Sequence, residues 1–425
     1  MAVSKKVLIG LLAMLVAAGA LFAAGGSDAA KGDETIILNL WHHNTYDTRR
    51  IPIENAAKRF EQQNPGVKII ISVYENDPYK TKLKTVSGDD FPDVFHSWGG
   101  GWLKSFVDAG LVADITEESK AWADQISPAA LEFNRFDGKV YGSPYINSST
   151  ILYYNKEIFS RFNLQPPRTL AELDAVAATL KANNIIPFAL ANLTKWPGAQ
   201  HFVFLSMRIG GADIFQRAID GKVKFTDETF IKAGQILQEQ VAKGYFPAGA
   251  NGMNWDTGAS RMMFYTGQAA MIVQTSGFMA TCKSENADFY KDKLGIALYP
   301  AVEGGKGKMT DLLSGENAFS VGANTKHKAM AAKLVGFLSA DTQFQQDFLN
   351  GGSLVAKVGL TTTDPVLQAA MKQLEEATYL QNFIDQTLSP ELAEVHKDTT
   401  QALYGNVMPP LQAAQEMQKA FDASK

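Results

Sequence analysis

Five tryptophans, Trp41, Trp98, Trp102, Trp196 and Trp255, stand beside polar or glycine-rich neighbours, as do Tyr145 and Phe278. An indole face can cover the C–H face of a sugar ring while nearby amides and hydroxyls meet the sugar's hydroxyl groups. Trp102 is expected in a core, because it shares the apolar side of a helix with Leu103, Phe106 and Val107. Trp98, Trp196 and Trp255 are better ligand candidates, since Ser97-Trp98-Gly99-Gly100, Thr194-Lys195-Trp196-Pro197-Gly198 and Asn254-Trp255-Asp256-Thr257 read as loops. Cleaving a glycosidic bond needs only two carboxylates roughly 5–10 Å apart. A secreted glycoside hydrolase with paired carboxylates in a cleft is therefore the alternative to plain binding.

Other chemistries find little support. Gly304-Gly305-Lys306-Gly307-Lys308-Met309 lacks the spacing of a phosphate loop and the Ser or Thr that would follow its lysine to hold magnesium. Gly99-Gly100-Gly101 has no continuation toward a dinucleotide fingerprint. The only adjacent histidines are His42 and His43, and neighbours on a strand point to opposite faces. His-Glu-x-x-His, Cys-x-x-Cys and Gly-x-Ser-x-Gly are absent. No cofactor, metal or catalytic residue is expected.

The elements that must position these aromatics alternate along the chain. Thr35–Trp41 and Val67–Val73 read as strands around a helix stopped by Asn64-Pro65-Gly66, and a short strand at Asp93–His96 precedes the Trp102 helix. Thr169-Leu170-Ala171-Glu172 is a capping box for a helix with Leu173, Val176, Ala177 and Leu180 on its apolar stripe. Ile185–Leu190 and Ala269–Val273 are further strands, and the last hundred residues are mostly helical. Strands separated by helices predict an α/β fold with a mainly parallel sheet. Val140–Ser149 and Leu294–Pro300 read as crossings between two lobes, which would leave a ligand cleft between them.

Composition agrees. With 425 residues, 46% apolar, one core is expected to split into at least two lobes. Forty basic against 44 acidic residues, a net charge of −4, provide no basic field for nucleic acid, which is not an expected partner. The lone Cys282 cannot form a bridge within its chain. Lys5 and Lys6, the apolar run Val7–Ala24 and the small residues Ala23-Ala24-Gly25-Gly26-Ser27 predict a signal peptide over 1–24, with a spacer over 25–34. Cleavage is expected near Ala23 or at Ala18-Gly19-Ala20; an uncleaved anchor is the alternative. Ala24 stands where a lipoprotein processing site would have cysteine, so a free periplasmic protein is expected rather than a lipid-tethered one.

Five passages, taken in order, resemble one known family. They are Asn64-Pro65-Gly66-Val67-Lys68; Pro92-Asp93-Val94 with Trp98-Gly99-Gly100-Gly101 and Ala109–Thr116; Gly138–Tyr145 with Leu152–Lys156; Phe264–Met271; and Leu298–Gly305. Together they resemble the extracellular sugar-binding proteins that deliver solutes to bacterial ABC importers. The resemblance implies a two-lobed periplasmic-binding-protein fold with hinge strands, an N-terminal lobe of 35–147 plus 300–327 and a C-terminal lobe of 148–299 plus 328–425. It implies a sugar ligand in the interlobe cleft, importer permease subunits as partners, and a monomer. Its site would comprise His42, Asn44, Thr45 and Asp47 after the first strand, Trp98, Gly99 and Gly100, and Tyr145, Asn147 and Ser148 in the hinge segment. Trp196, Trp255, Ser276, Gly277, Phe278, Gly315 and Glu316 would complete it. Asn147 and Ser148 lie where the family's maltose binders hold a carboxylate, so an oligosaccharide of another kind, such as a xylo-oligosaccharide, is expected.

Overall fold

The computed structural model describes residues 35–424. The expected signal peptide and spacer lie outside them. Strands β1 (Ile36–His42), β2 (Val67–Val73) and β3 (Val94–Ser97) are joined by the helices Asp47–Gln63 and Asn76–Thr85. A two-residue ribbon, β4 (Arg135–Phe136) and β5 (Lys139–Val140), precedes the long β6 (Ser143–Asn155). Then come β7 (Ile186–Phe188), β8 (Ala269–Thr275), β9 (Leu294–Ala297), β10 (Asp311–Val321) and β11 (Tyr379–Asn382), with helices between them.

The main sheet runs β2-β1-β3-β10-β6-β8-β7, with β11 beside β10 and β9 beside β6. β1 pairs in parallel with β2 from Ile36↔Val67 to His42↔Val73 and with β3 at Leu40↔Val94. β10 is antiparallel to β3 and β6 and parallel to β11, β6 is antiparallel to β10, β8 and β9, and both continue from one lobe into the other. The first part of β6 pairs β10 up to Ser149↔Ser314, and the rest pairs β8 and β9. The expected crossing at Val140–Ser149 is thus the start of β6. The expected crossing at Leu294–Pro300 is not one: β9 stays in the second lobe against β6, and β10 makes the return. A third strap, around Leu354 and Ala356, accepts the Asn147 amide and donates to the Tyr145 carbonyl.

Each lobe has its own core. Leu38, Leu40, Ile53, Phe60, Val94, Phe319 and Val321 fill the first. Leu152, Leu173, Leu180, Phe188, Phe204, Leu237 and Leu403 fill one face of the second, and Ile151, Tyr153, Ile272, Phe278 and Leu367 the other. Alternation along β6 sends Leu152 to one face and Ile151 and Tyr153 to the opposite one, as a doubly covered strand requires. The helical tail is divided. Ala331, Leu334, Val335, Leu338, Phe344 and Phe348, from the helices Lys328–Ala340 and Thr342–Asn350, pack into the first core, although 328–425 was expected with the second. Periodicity marks a helix's apolar face but not the sheet that covers it. The helices Pro390–Tyr404 and Pro410–Ala423 do join the second core.

The capping box forms in altered shape. Glu172 N–H donates to Thr169 Oγ1 at 3.2 Å, while the Glu172 carboxylate accepts from the Arg168 amide instead of that of Thr169.

Candidate functional site

β2 and β3 lie on opposite sides of β1, so the helical connections diverge and open a crevice at the C-terminal ends of these parallel strands. The second lobe faces that crevice with the end of β8, the helix Gly277–Glu285, the start of the helix Trp196–Gly210 and the loop holding Trp255. The resulting cavity has about 1000 Å³ of empty space including its open mouth.

Of the expected residues, Asn44, Thr45, Trp98, Trp196, Trp255, Gly277 and Phe278 line this cavity. His42 does not. It continues the inward register of Leu38 and Leu40, is fully buried, and its Nδ1 accepts from the Asn44 amide at 3.2 Å. Burial lowers its pKa to about 3, so it is a neutral core residue, and its neighbour His43 faces the cavity. The alternation of β1 was the signal that could have separated the two. Asp47 is exposed and ion-pairs with Arg50 at 2.6 Å. Tyr145 is buried behind the wall, where its hydroxyl meets Asn44 Nδ2 at 3.0 Å and His96 Nδ1 at 2.9 Å. The other ring nitrogen of His96 lies 3.1 Å from His43 Nε2, so this chain of contacts fixes His43 and Asn44 from below.

Asn147 is not in the lining, and its amide donates to the Leu354 carbonyl. Ser148 and Ser276 share a 3.0 Å hydroxyl contact that ties β6 to the end of β8. Gly99 and Gly100 let the chain pass close to other groups. A Cβ on Gly99 would meet Glu316 and Phe133, and Gly100, at φ +73°, lies against the Gln386 carbonyl. Gly315 sits beneath the Phe383 ring.

Glu316 is a structural clamp rather than a cavity residue. It is 2% exposed and its Oε1 accepts from the Gly99 amide at 2.5 Å, which holds the turn carrying Trp98. Burial raises its pKa to about 8, so the folded protein holds a proton that the unfolded chain releases near 4.5. The stability linked to that proton is complete below about 4.5 and is lost as pH rises through about 8. One proton can give a slope of at most about 1.4 kcal/mol per pH unit. In Glu316→Gln, urea unfolding between pH 5 and 8 should fall less steeply with pH than in wild type; parallel curves would show that Glu316 is ionised in the fold.

Trp98 lines the cavity but is only 5% exposed. His43 stacks on it with ring centres 5.1 Å apart, Trp102 meets it edge-on at 5.0 Å, and Lys80 Nζ lies 4.6 Å from its centre. Trp196 and Trp255 are partly buried and meet edge-to-face at 5.6 Å. Arg261 braces Trp255: its guanidinium lies 4.8 Å over the indole, Nη1 donates to the Trp255 carbonyl, and a fork of bonds grips Glu285.

Sequence reasoning missed His43, Tyr46, Arg49, Glu75, Asn76, Lys80, Gln200, Asp256, Gln274, Thr275, Thr281, Asn317, Phe383 and Asp385 in this lining. Glu75 and Asn76 follow β2, so the preference of ligands for the carboxyl ends of parallel strands was a usable signal for them. Burial first, then the charges of Asp77 and Glu75, raise the pKa of Asp256 to about 6. The cavity therefore combines aromatic surfaces with amides, hydroxyls and charged groups of both signs. Among the described residues no cluster of three or more His, Cys, Asp or Glu side chains is placed to hold a metal, and no helix is long and apolar enough to cross a membrane.

The family model for bacterial extracellular solute-binding proteins matches residues 47–343. The chain belongs to this family. Among its relatives, the multiple sugar-binding protein of Streptococcus mutans is 25% identical over 361 residues, 83% of each chain. An uncharacterized ABC transporter extracellular-binding protein of Pyrococcus horikoshii is 26% identical over 289 residues, and the match spans 64% of each, a little under two thirds. A solved structure from work on xylan utilization by the thermophilic bacterium Caldanaerobius polysaccharolyticus is 30% identical, with a TM-score of 0.85 over 91% of this chain and 100% of that one. A chitin oligosaccharide binding protein, 23% identical with a TM-score of 0.83 over 92% of this chain and 99% of that one, shares the fold. Two lobes around a crevice are the architecture of these solute-binding proteins, and the aromatic-lined cavity of this member lies in that crevice.

Proposed function

We propose that this solute-binding protein is the periplasmic receptor of an ABC importer, that it closes its two lobes on an oligosaccharide, and that it hands the sugar to a membrane permease. The observation that carries the reading is the interlobe cavity itself, where Trp196 and Trp255 offer aromatic surface beside Asn44, Asn76, Gln200 and Asn317. A sugar needs both kinds of contact, because its C–H faces stack while each buried hydroxyl left unpaired costs about 1–3 kcal/mol. Closing the lobes would exclude water from both and let the ligand select the closed form. Xylo-oligosaccharides are the favoured class, supported by the relative from xylan utilization and by the absence of a carboxylate at Asn147 and Ser148. The protein acts as an exported monomer, cleaved after the signal peptide and free of a lipid anchor.

The test is a panel of xylo-, gluco-, galacto- and malto-oligosaccharides followed by tryptophan fluorescence, with each recovered sugar chromatographed. The expected result is a saturable emission change, largest with xylo-oligosaccharides, and intact sugar. Shortened sugar would replace the receptor by the hydrolase alternative, and a flat response across the panel would remove the sugar reading.

A further inference from the structure

Arg49 stands in the first turn of the helix Asp47–Gln63 and lines the cavity, yet it is 9% exposed. Among the described residues its side chain makes one hydrogen bond, from Nε to Ser353 Oγ at 3.1 Å, and its guanidinium forms no ion pair with a carboxylate. The groups whose charge bears on it are Tyr145, Tyr46 and Tyr153, none of them an acid ionised at neutral pH. Leaving a buried cation without a counter-charge is costly. Of the acidic groups in the lining, Asp256 feels the charge of Arg261, and Glu75 bears on Asp256.

The same corner holds a second source of positive potential. The helix Gly277–Glu285 begins against Arg49, close enough that a Cβ on Gly277 would come within 2.6 Å of Arg49 Nη2. No side chain caps this helix: the hydroxyl of Ser276, its N-cap residue, turns to Ser148. The amides of Gly277 and Phe278 have no acceptor among the described residues, and both residues line the cavity. Free amides at a helix start favour an anion, and a guanidinium offers parallel donors matched to a carboxylate. Lys80, also in the lining, lies over Trp98, where the nearby charge of Asp385 bears on it, so Arg49 is the cation of this corner.

We propose that the corner formed by Arg49 and the start of the Gly277–Glu285 helix binds the carboxylate of a hexuronic acid residue, so that the preferred ligand is an acidic oligosaccharide rather than a neutral one. This rests on the reading of the cleft as an oligosaccharide site and narrows it. A sugar stacked at Trp196 and Trp255 would extend across the cavity with its acidic residue toward Arg49.

The experiment is calorimetric titration of the full chain with xylotetraose, with a xylotetraose bearing one glucuronic acid branch, and with the methyl ester of that branched sugar. The acidic sugar is expected to bind at least about tenfold more tightly than the ester, as one charge-assisted pair allows. That margin should shrink as salt rises. In Arg49→Gln the ratio of acidic to ester affinity should fall close to one, whatever happens to affinity itself. Equal binding of all three sugars by the wild type would overturn the anionic corner while leaving the oligosaccharide site standing; no binding of any oligosaccharide would remove both. A preference that persists in Arg49→Gln would overturn the role of Arg49. If that variant does not fold, the wild-type comparison of acid with ester still decides whether the carboxylate is recognised.

Discussion

Trp98→Ala is expected to lower the unfolding free energy by about 3–5 kcal/mol, the usual cost of truncating a core tryptophan. Trp98 is one of three tryptophan ligand candidates in the sequence, beside a glycine run after a strand. In the fold it is shut in by His43, Trp102, Tyr79 and His96 and belongs to the cluster of Leu103, Phe106 and Phe95. Removing the ring takes away the support of His43 as well as the packing of the turn. Affinity should therefore fall together with stability. Denaturant unfolding checks this; a variant as stable as wild type but weak in sugar binding would make Trp98 an open stacking platform.

Trp196→Ala should behave in the opposite way. Trp196 is partly buried at the first position of its helix and touches Trp255. The turn before it is held independently, since Asn192 Oδ1 accepts from the Gly198 amide at 3.0 Å and Lys195 ion-pairs with Asp398. Loss of an aromatic anchor in a binding site commonly costs about 2 kcal/mol or more, roughly 30-fold in affinity. The unfolding free energy should change by no more than about 1 kcal/mol. Oligosaccharide titration of the two variants side by side separates the roles. Undiminished affinity in Trp196→Ala would take the second-lobe aromatics out of the site.

The division between these residues shows what sequence could and could not reach. β1, β2 and β8 follow their apolar patterns closely, and the sugar-binding family was legible from ordered passages such as Gly138–Tyr145 and Phe264–Met271. Lobe membership was harder, because Leu334 and Leu338 make an apolar stripe that would suit either core. In the site, loop position identified Trp196 and Trp255, but exposure depends on neighbours distant in sequence, and Trp98 is covered by groups from the turn after β1 and from two helices. Glu316 shows the same limit. Its place in the sequence fits a cleft carboxylate, while the fold turns it toward Gly99. Arg49 carried no signal at all in a helix that reads as polar at its start. It becomes notable only when Ser353 and Gly277, far along the chain, are found beside it.

The central claim is that the cavity between the lobes holds an intact oligosaccharide. Its most direct test is the crystal structure of the protein grown with the xylo-oligosaccharide that binds best. The sugar should lie uncut against Trp196 and Trp255 and reach the wall of His43 and Asn44. Sugar bound elsewhere with this cavity empty, or a cleaved product within it, would contradict the account.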